Sequence, residues 1–215
     1  MENELKACIL LIFVSVAVGA YAYALLPDPV ASHWGISGEP DGYMPRGAGA
    51  FFLPALLAAL FSLLIVIPRI DPLRANIEAF KTSYHRFVLV VMSFLFIVYL
   101  QSILWNLGTE ISFNLTMPVM LGVMLFFVGI LLQKAKRNWF IGIRTPWTLS
   151  SDDVWEKTHM LGAKVFKAVG VASVVSVFLP AYAMLIVIGL LLAASVGLVI
   201  YSYVAYARLA RKING

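Results

Sequence analysis

The sequence predicts an all-α, polytopic integral membrane protein with six transmembrane helices, and three observations support this fold class. Hydrophobic residues make up 61% of the 215 residues, whereas charged residues make up only 13%, about half of the fraction usual in soluble domains. Long apolar runs recur along the chain, and the Lys and Arg residues concentrate in alternate connections between them. This composition excludes an ordinary soluble domain, which would expose too much apolar surface.

The apolar runs have the length that a bilayer requires. The hydrocarbon core is about 30 Å thick and an α-helix rises about 1.5 Å per residue, so a span needs about 20 residues. Four runs meet this requirement separately, and the last apolar stretch is long enough for two helices that divide near Pro180. The predicted spans are residues 7–26, 48–67, 87–105, 113–132, 162–179 and 181–207.

The cations predict the direction in which these spans cross. If the N-terminus is inside, all but one of the 16 Lys and Arg residues lie in inner segments, and the exception is Arg46. Inner segments of membrane proteins carry an excess of Lys and Arg, so we expect both termini to be cytoplasmic. Because this rule explains the net charge of +5, we expect no direct nucleic-acid partner.

The outer loop, residues 27–47, is more patterned than a plain linker. The sequence "EPDG" at 39–42 predicts a turn, glycines permit unusual backbone angles, and aromatic rings can settle at headgroup level. One interpretation is a loop that anchors itself in the outer interface. The other is a recognition cap, acidic through Asp28, Glu39 and Asp41, for a cationic or amphipathic ligand. The candidate recognition residues are His33, Trp34, Gly38, Pro40, Asp41 and Tyr43.

The inner loop, residues 133–161, combines a basic start with a polar end. "QKAKRN" suits an anionic cytoplasmic leaflet. Arg144 lies between apolar residues and needs a carboxylate, helix-end carbonyls or a lipid phosphate; Asp152, Asp153 and Glu156 are the candidate acids. Ser150, with Asp153 three residues later, matches a capping box that starts a helix leading into the fifth span.

Two further patterns predict packing. Gly189, Ala193 and Gly197 are spaced four apart in the last span, which is typical of closely packed membrane helices. The inner connection at 68–86 has a partly helical middle, and we expect its Ile77 and Phe80 to rest on the bilayer surface.

No motif predicts catalysis or a cofactor. The sequence has no P-loop, nucleotide fingerprint, GxSxG or HExxH, and the single Cys8 supports no intrachain disulfide. The predicted topology puts His33 outside and the other two histidines inside, which leaves only His85 and His159 with nearby acids as an alternative metal site. We therefore expect no metal, cofactor or catalytic residue. A small-solute transporter or membrane-embedded enzyme that uses Arg144, Asp152, Asp153 and His159 stays the alternative.

The two loops together resemble those of SdpI-type immunity membrane proteins. "LPDPVASHWGISGEPDGY" (26–43) is similar to their N-terminal module, a domain of unknown function numbered 1648, although it has Gly35 where asparagine is expected. "NWFIGIRTPWTLSSDDVWEKTHMLG" (138–162) resembles the signature of their C-terminal module. The residues in register are Asn138, Trp139, Gly142, Arg144, Thr145, Pro146, Trp147, Thr148, Trp155, Thr158 and His159.

This resemblance implies a multi-pass protein of the prokaryotic cell membrane that protects its producer against a secreted, membrane-active peptide. It also implies signalling, in some members, through a cytoplasmic repressor. The partners would be the lipid bilayer, an extracellular toxin peptide and that repressor. On this plan the N-terminal module is 1–68, the third span with its inner connection is 69–112, and the C-terminal module is 113–215, with Asp152 and Asp153 completing its inner motif.

Overall fold

The computed structural model describes residues 2–35 and 37–214, and it contains six helices that are long and apolar enough to cross a membrane. The predicted all-α membrane fold is confirmed, while the direction of crossing stays a prediction. In chain order the elements are α1 (Glu2–Ala22), β1 (Val30–Trp34), β2 (Pro40–Met44), α2 (Arg46–Ile70), α3 (Arg74–Glu78), α4 (Lys81–Asn106), α5 (Phe113–Lys134), α6 (Pro146–Ser150), α7 (Asp152–Val175) and α8 (Ala183–Asn214), with a 3₁₀ turn at Ser176–Phe178.

The fifth spanning helix, α7, begins at Asp152, close to the helix start predicted at Ser150 and before the predicted span of 162–179. Its N-cap is Ser151, whose side chain accepts a hydrogen bond from the Val154 amide at 3.4 Å. The predicted cap at Ser150 is wrong, because Ser150 is the last residue of α6 and its hydroxyl donates to the Trp147 carbonyl. A short helix that the sequence did not predict therefore shifts the cap by one residue.

The helices form two groups that meet where α4 contacts α5. Helices α1, α2 and α4 pack against one another, and α5, α7 and α8 form the second group. Helices α5 and α7 pack closely, because a Cβ added to Gly122 would lie 2.6 Å from the Gly170 carbonyl oxygen. The expected close packing of the small residues of α8 is not found within the chain, because Gly189 and Gly197 have no described atom within 4 Å of an added Cβ.

The outer loop is a two-stranded antiparallel hairpin rather than an irregular segment. Ala31 lies opposite Tyr43 and His33 opposite Gly42, with irregular register between these pairs. The two strands are closed by the Gly35 amide, which donates to the Glu39 carbonyl at 3.0 Å, and Gly38 has φ +85°. The predicted turn at 39–42 is therefore wrong: strand pairing holds Pro40, Asp41 and Gly42 extended and overrides their local preference for a turn.

The inner connection folds beneath the helix ends instead of lying on the bilayer. Ile77 is 2% exposed and Phe80 is 4% exposed, and both belong to the apolar cluster that contains Cys8, Leu57 and Tyr84. The expectation that the two side chains rest on the lipid surface is wrong. Helix α3 turns its apolar face toward the protein core, where burial removes that area from water without requiring lipid.

Candidate functional site

Asn138 organises the start of the inner motif. Its side chain is fully buried and makes four hydrogen bonds to the backbone. The amide nitrogen donates to the carbonyls of Lys136 and Ile141, both at 2.8 Å. The amide oxygen accepts from the amides of Phe140 at 3.0 Å and Ile141 at 2.6 Å. Both donors and both acceptor positions of the side chain are therefore used, and together they fix the turn at 138–141.

His159 holds the next part of the motif from inside α7. Its ring stacks on Trp155 at a centroid distance of 3.9 Å. Nδ1 lies 2.8 Å from the Trp155 carbonyl, and Nε2 accepts from the Ile143 amide at 3.0 Å, so the proton is assigned to Nδ1. Gly142 has φ +119°, and a Cβ there would clash with His159 Nε2. Only glycine therefore permits this close approach.

The Thr-Pro-Trp-Thr segment, residues 145–148, starts α6 and attaches it to α8. Thr145 and Thr148 form a reciprocal capping box, with Pro146 at the first helical position. The Thr145 hydroxyl hydrogen-bonds Ser202 Oγ at 3.0 Å, and the Trp147 ring meets Tyr203 edge-on at 5.2 Å. These long-range contacts explain why the segment carries threonines and a tryptophan instead of ordinary loop residues.

The four residues of the alternative catalytic cluster have separate partners. Arg144 Nη1 donates to the Trp139 carbonyl at 2.6 Å, and Arg144 is exposed. Asp152 pairs with Arg137 at 2.7 Å and Asp153 with Lys157 at 2.7 Å. Arg144 therefore takes a backbone carbonyl, and the candidate acids are not its partners. The structure does not bring Arg144, Asp152, Asp153 and His159 together as a hydrogen-bonded site.

The alternative metal site is likewise not formed. Within residues 2–35 and 37–214, no three His, Cys, Asp or Glu side chains are grouped so that they could hold a metal ion. His85 and His159 are both buried, each in its own surroundings. The motif residue Thr158 is also buried, and its hydroxyl has no hydrogen-bond partner among the described residues.

Asp71 is an important residue that the sequence analysis missed. It is 2% exposed; one carboxylate oxygen accepts from the Leu73 amide at 2.6 Å, and the other accepts from the Trp139 amide at 2.9 Å. Nearby, Asn76 donates to the Arg137 carbonyl at 2.7 Å. The two inner segments are thus joined across more than 60 residues of sequence. The only sequence signal was an acid before Pro72, which indicates a turn and not a distant partner.

A polar groove of about 820 Å³ separates the start of α4 from the inner loop. Its lining is charged. The cations are Lys81, Lys134, Lys136 and Arg137, and the acids are Glu78, Asp152 and Glu156. Two of the described ion pairs line this groove, Arg137–Asp152 and Lys81–Glu78, each with a nitrogen–oxygen distance of 2.7 Å. The groove therefore presents charges of both signs along its lining.

The outer hairpin has a buried base and an exposed edge. Trp34 packs on Phe113 at 4.2 Å and on Trp105 at 5.8 Å between ring centroids, and Asn106 exchanges two hydrogen bonds with the backbone of Ala31. Trp34 therefore attaches the hairpin to α4 and α5, whereas Tyr43 is 60% exposed.

The exposed edge of the hairpin carries the acids. Asp41 pairs with His33, and Asp28 accepts from the Arg46 amide at 3.2 Å. Glu39 is exposed. Of the predicted recognition residues, His33, Asp41 and Tyr43 are available to a ligand, Pro40 is half-buried, and Gly38 is buried in the turn against Asn114.

Two family models match separate parts of the chain, one with the inner motif and one with the hairpin. The SdpI/YfhL protein family matches residues 134–202, which contain the inner motif, and the domain of unknown function DUF1648 matches residues 10–58, which contain the hairpin. Immunity protein SdpI of Bacillus subtilis (strain 168) is 27% identical over 208 residues, which cover 96% of each chain. No solved structure matches the chain. The resemblance to SdpI-type immunity membrane proteins is confirmed.

Proposed function

Starting from this likeness to a membrane immunity protein, we propose that the chain protects a prokaryotic cell membrane against a secreted, membrane-active peptide. The observation that carries the proposal is the match to Immunity protein SdpI along 96% of both chains, because it includes both loops and all six helices. The proposed location is the plasma membrane, with both termini in the cytoplasm, in accordance with the placement of Lys and Arg.

The outer hairpin is the proposed recognition surface. Its base is fixed by Trp34 and by the hydrogen bonds of Asn106, so its exposed residues are presented on a rigid support. Asp28, Glu39 and Asp41 supply negative charge at this surface. A cationic peptide would be attracted to such a field, which increases the rate of encounter and weakens with salt.

The polar groove at the inner loop is the proposed contact for a cytoplasmic repressor. It is wide, charged with both signs and bounded by segments that Asp71 and Asn76 join together. An occupant would thus touch both the C-terminal module and the connection that leads back to α2. This arrangement supports a reporting role, while the separate partners of Arg144, Asp152, Asp153 and His159 give no support to a catalytic one.

The test is survival of a sensitive prokaryotic strain that carries or lacks this gene. Cells are exposed to a panel of secreted, membrane-active peptides, and the expression level of the protein is measured in the same cultures. We expect the gene to increase survival against at least one peptide. Equal survival with and without well-inserted protein, for every peptide, would contradict the proposal. Flux in proteoliposomes, measured in parallel, would instead favour a transporter.

The proposed topology is tested by cysteine labelling of intact cells. Ser37→Cys and Ser150→Cys are suitable because both side chains are exposed and neither is the cap of α7. An impermeant maleimide should label Ser37→Cys before lysis and Ser150→Cys only after it. The unsubstituted protein, whose Cys8 is buried, is the control. Labelling of both variants from outside would contradict the six-span orientation.

A further inference from the structure

A second inner cavity has a volume of about 620 Å³ and shares only Glu78 and Lys81 with the lining of the polar groove. It lies among α1, α2, α3 and α4, where α2 ends and α4 begins. Leu5, Leu64 and Ile65 line its apolar part and belong to the spanning helices. The cavity therefore lies at the end of the membrane-spanning helices, with apolar side chains on one side and charged side chains on the other.

Two arginines at this cavity have no partner among the residues that the structure describes. Arg69 and Arg74 line it, both are exposed, and neither side chain makes an ion pair or hydrogen bond within the described part of the chain. The other ion-pairing groups there are already used, since Lys81 contacts Glu78 at 2.7 Å. The cavity thus has two guanidinium groups whose charge no acid in the described residues balances.

His85 gives a second and independent indication of a ligand. It lines the same cavity, it is only 8% exposed, and its Nδ1 has no hydrogen-bond partner among the described residues. The neighbouring Tyr84 does not serve as a partner, because its hydroxyl donates to the Leu64 carbonyl at 2.7 Å. A buried polar atom without a partner is unfavourable and is rare in folded proteins. A polar group that enters the cavity from outside would supply the missing partner.

We propose that this cavity binds one anionic membrane phospholipid. Arg69 and Arg74 would contact the phosphate, His85 would hydrogen-bond the headgroup, and an acyl chain would follow Leu5 and Leu64. Guanidinium groups match phosphate oxygens well, and basic pockets between membrane helices are typical headgroup sites. The apolar lining at the end of the spans favours a lipid over a soluble anion. This proposal is independent of the immunity function, and one bound lipid would join α1, α2 and α4.

The experiment measures the melting temperature of the detergent-solubilised full chain with added lipid. Phosphatidylglycerol is compared with phosphatidylcholine, and inorganic phosphate is the soluble-anion control. We expect phosphatidylglycerol to raise the melting temperature more than the other two. The double variant Arg69→Gln/Arg74→Gln should need about tenfold more phosphatidylglycerol for the same shift, since it loses charge-assisted hydrogen bonds. Native mass spectrometry should show one retained phosphatidylglycerol on the unsubstituted chain and less on this variant.

The matched control is Arg208→Gln/Arg211→Gln, which removes the same charge from the exposed end of α8, outside the cavity. It should respond to phosphatidylglycerol like the unsubstituted chain. An equal loss in both double variants would overturn the site, because it would indicate general attraction to anionic lipid. An equal response to phosphate alone would overturn the lipid assignment. His85→Gln keeps a hydrogen-bonding group and should retain lipid better than His85→Phe; equal retention would exclude the histidine contact.

Discussion

The inner loop and the outer loop are both polar segments between apolar helices, yet their polar side chains have different roles. In the inner loop, Asn138 and His159 are buried, and their hydrogen bonds go to the backbone. In the outer loop, Glu39, Asp41 and Tyr43 are exposed on the edge of a hairpin. Substitutions in the inner loop should therefore act through folding, and substitutions in the outer loop should act through recognition.

This difference also changes how the inner motif is interpreted. The buried asparagine, threonine and histidine side chains of the signature support the backbone of a compact structural unit. The exposed part of that unit is the charged groove beside it. Loss of activity after a change in the inner motif would thus show function only if the variant still folds.

The largest effect on stability is expected for Asn138→Ala. The change removes four buried hydrogen bonds and leaves the Ile141 amide and carbonyl without their partner. We expect a loss of about 3 kcal/mol in the free energy of unfolding, or failure to accumulate in the membrane. Thermal unfolding in detergent provides the measurement. Lys136→Ala, at an exposed position of the same loop, is the control and should melt like the unsubstituted protein. If Asn138→Ala were equally stable, the inner loop would not depend on its buried hydrogen bonds for folding.

Asp71→Asn tests the connection between the two inner segments. An amide has one acceptor oxygen, so the Leu73 and Trp139 amides can no longer both be satisfied. We expect a loss of about 2 kcal/mol. Asp152 is exposed and pairs with the half-buried Arg137, so Asp152→Asn should reduce the free energy of unfolding by less than about 1 kcal/mol. Should the two variants unfold alike, the buried carboxylate would not be what holds these segments together.

Arg144 is expected to have a smaller effect than its place in the motif suggests. It is exposed and donates to one carbonyl, that of Trp139. Arg144→Ala should reduce stability by about 1 kcal/mol, and Arg144→Lys should recover much of it because an ammonium can also donate to a single carbonyl. Thermal unfolding of both variants in detergent measures these changes in stability. A severe loss in the lysine variant would show that the planar guanidinium has a second acceptor, such as a lipid phosphate.

The smallest change in stability is expected in the outer hairpin, together with a change in protection. Asp28→Asn, Glu39→Gln and Asp41→Asn, combined, remove three charges but keep oxygen acceptors for the Arg46 amide and for His33. Exposed charges contribute little to folding, so the free energy of unfolding should change by less than about 1 kcal/mol. Peptide protection should decrease and lose its dependence on salt.

Glu110→Gln, in the connection between α4 and α5 and also exposed, is the control for that experiment. It should leave both melting and protection unchanged. Undiminished protection in a well-expressed triple variant would rule out electrostatic capture by the hairpin. It would direct attention to the inner groove or to the lipid-facing helices.

Much of this protein was determined by the sequence alone. Six spans could be predicted because apolarity and length are local properties that the bilayer imposes on each segment separately. The motif residues were also identifiable, since the resemblance depends on the order of residues in two short segments. The cap of α7 was predicted one residue from its position, at Ser150 instead of Ser151, because a cap depends mainly on its nearest neighbours.

Only the tertiary structure decided what those residues contact. Strand pairing moved the turn of the outer loop away from 39–42, although Pro40 and Gly42 favour a turn there. Ile77 and Phe80 lie in the protein core because α3 folds beneath α1, α2 and α4, which no local pattern specifies. Asp71 reaches Trp139 and Thr145 reaches Ser202 across 68 and 57 positions. Such partners depend on how the helices assemble, because a buried polar group hydrogen-bonds whichever group packing places beside it.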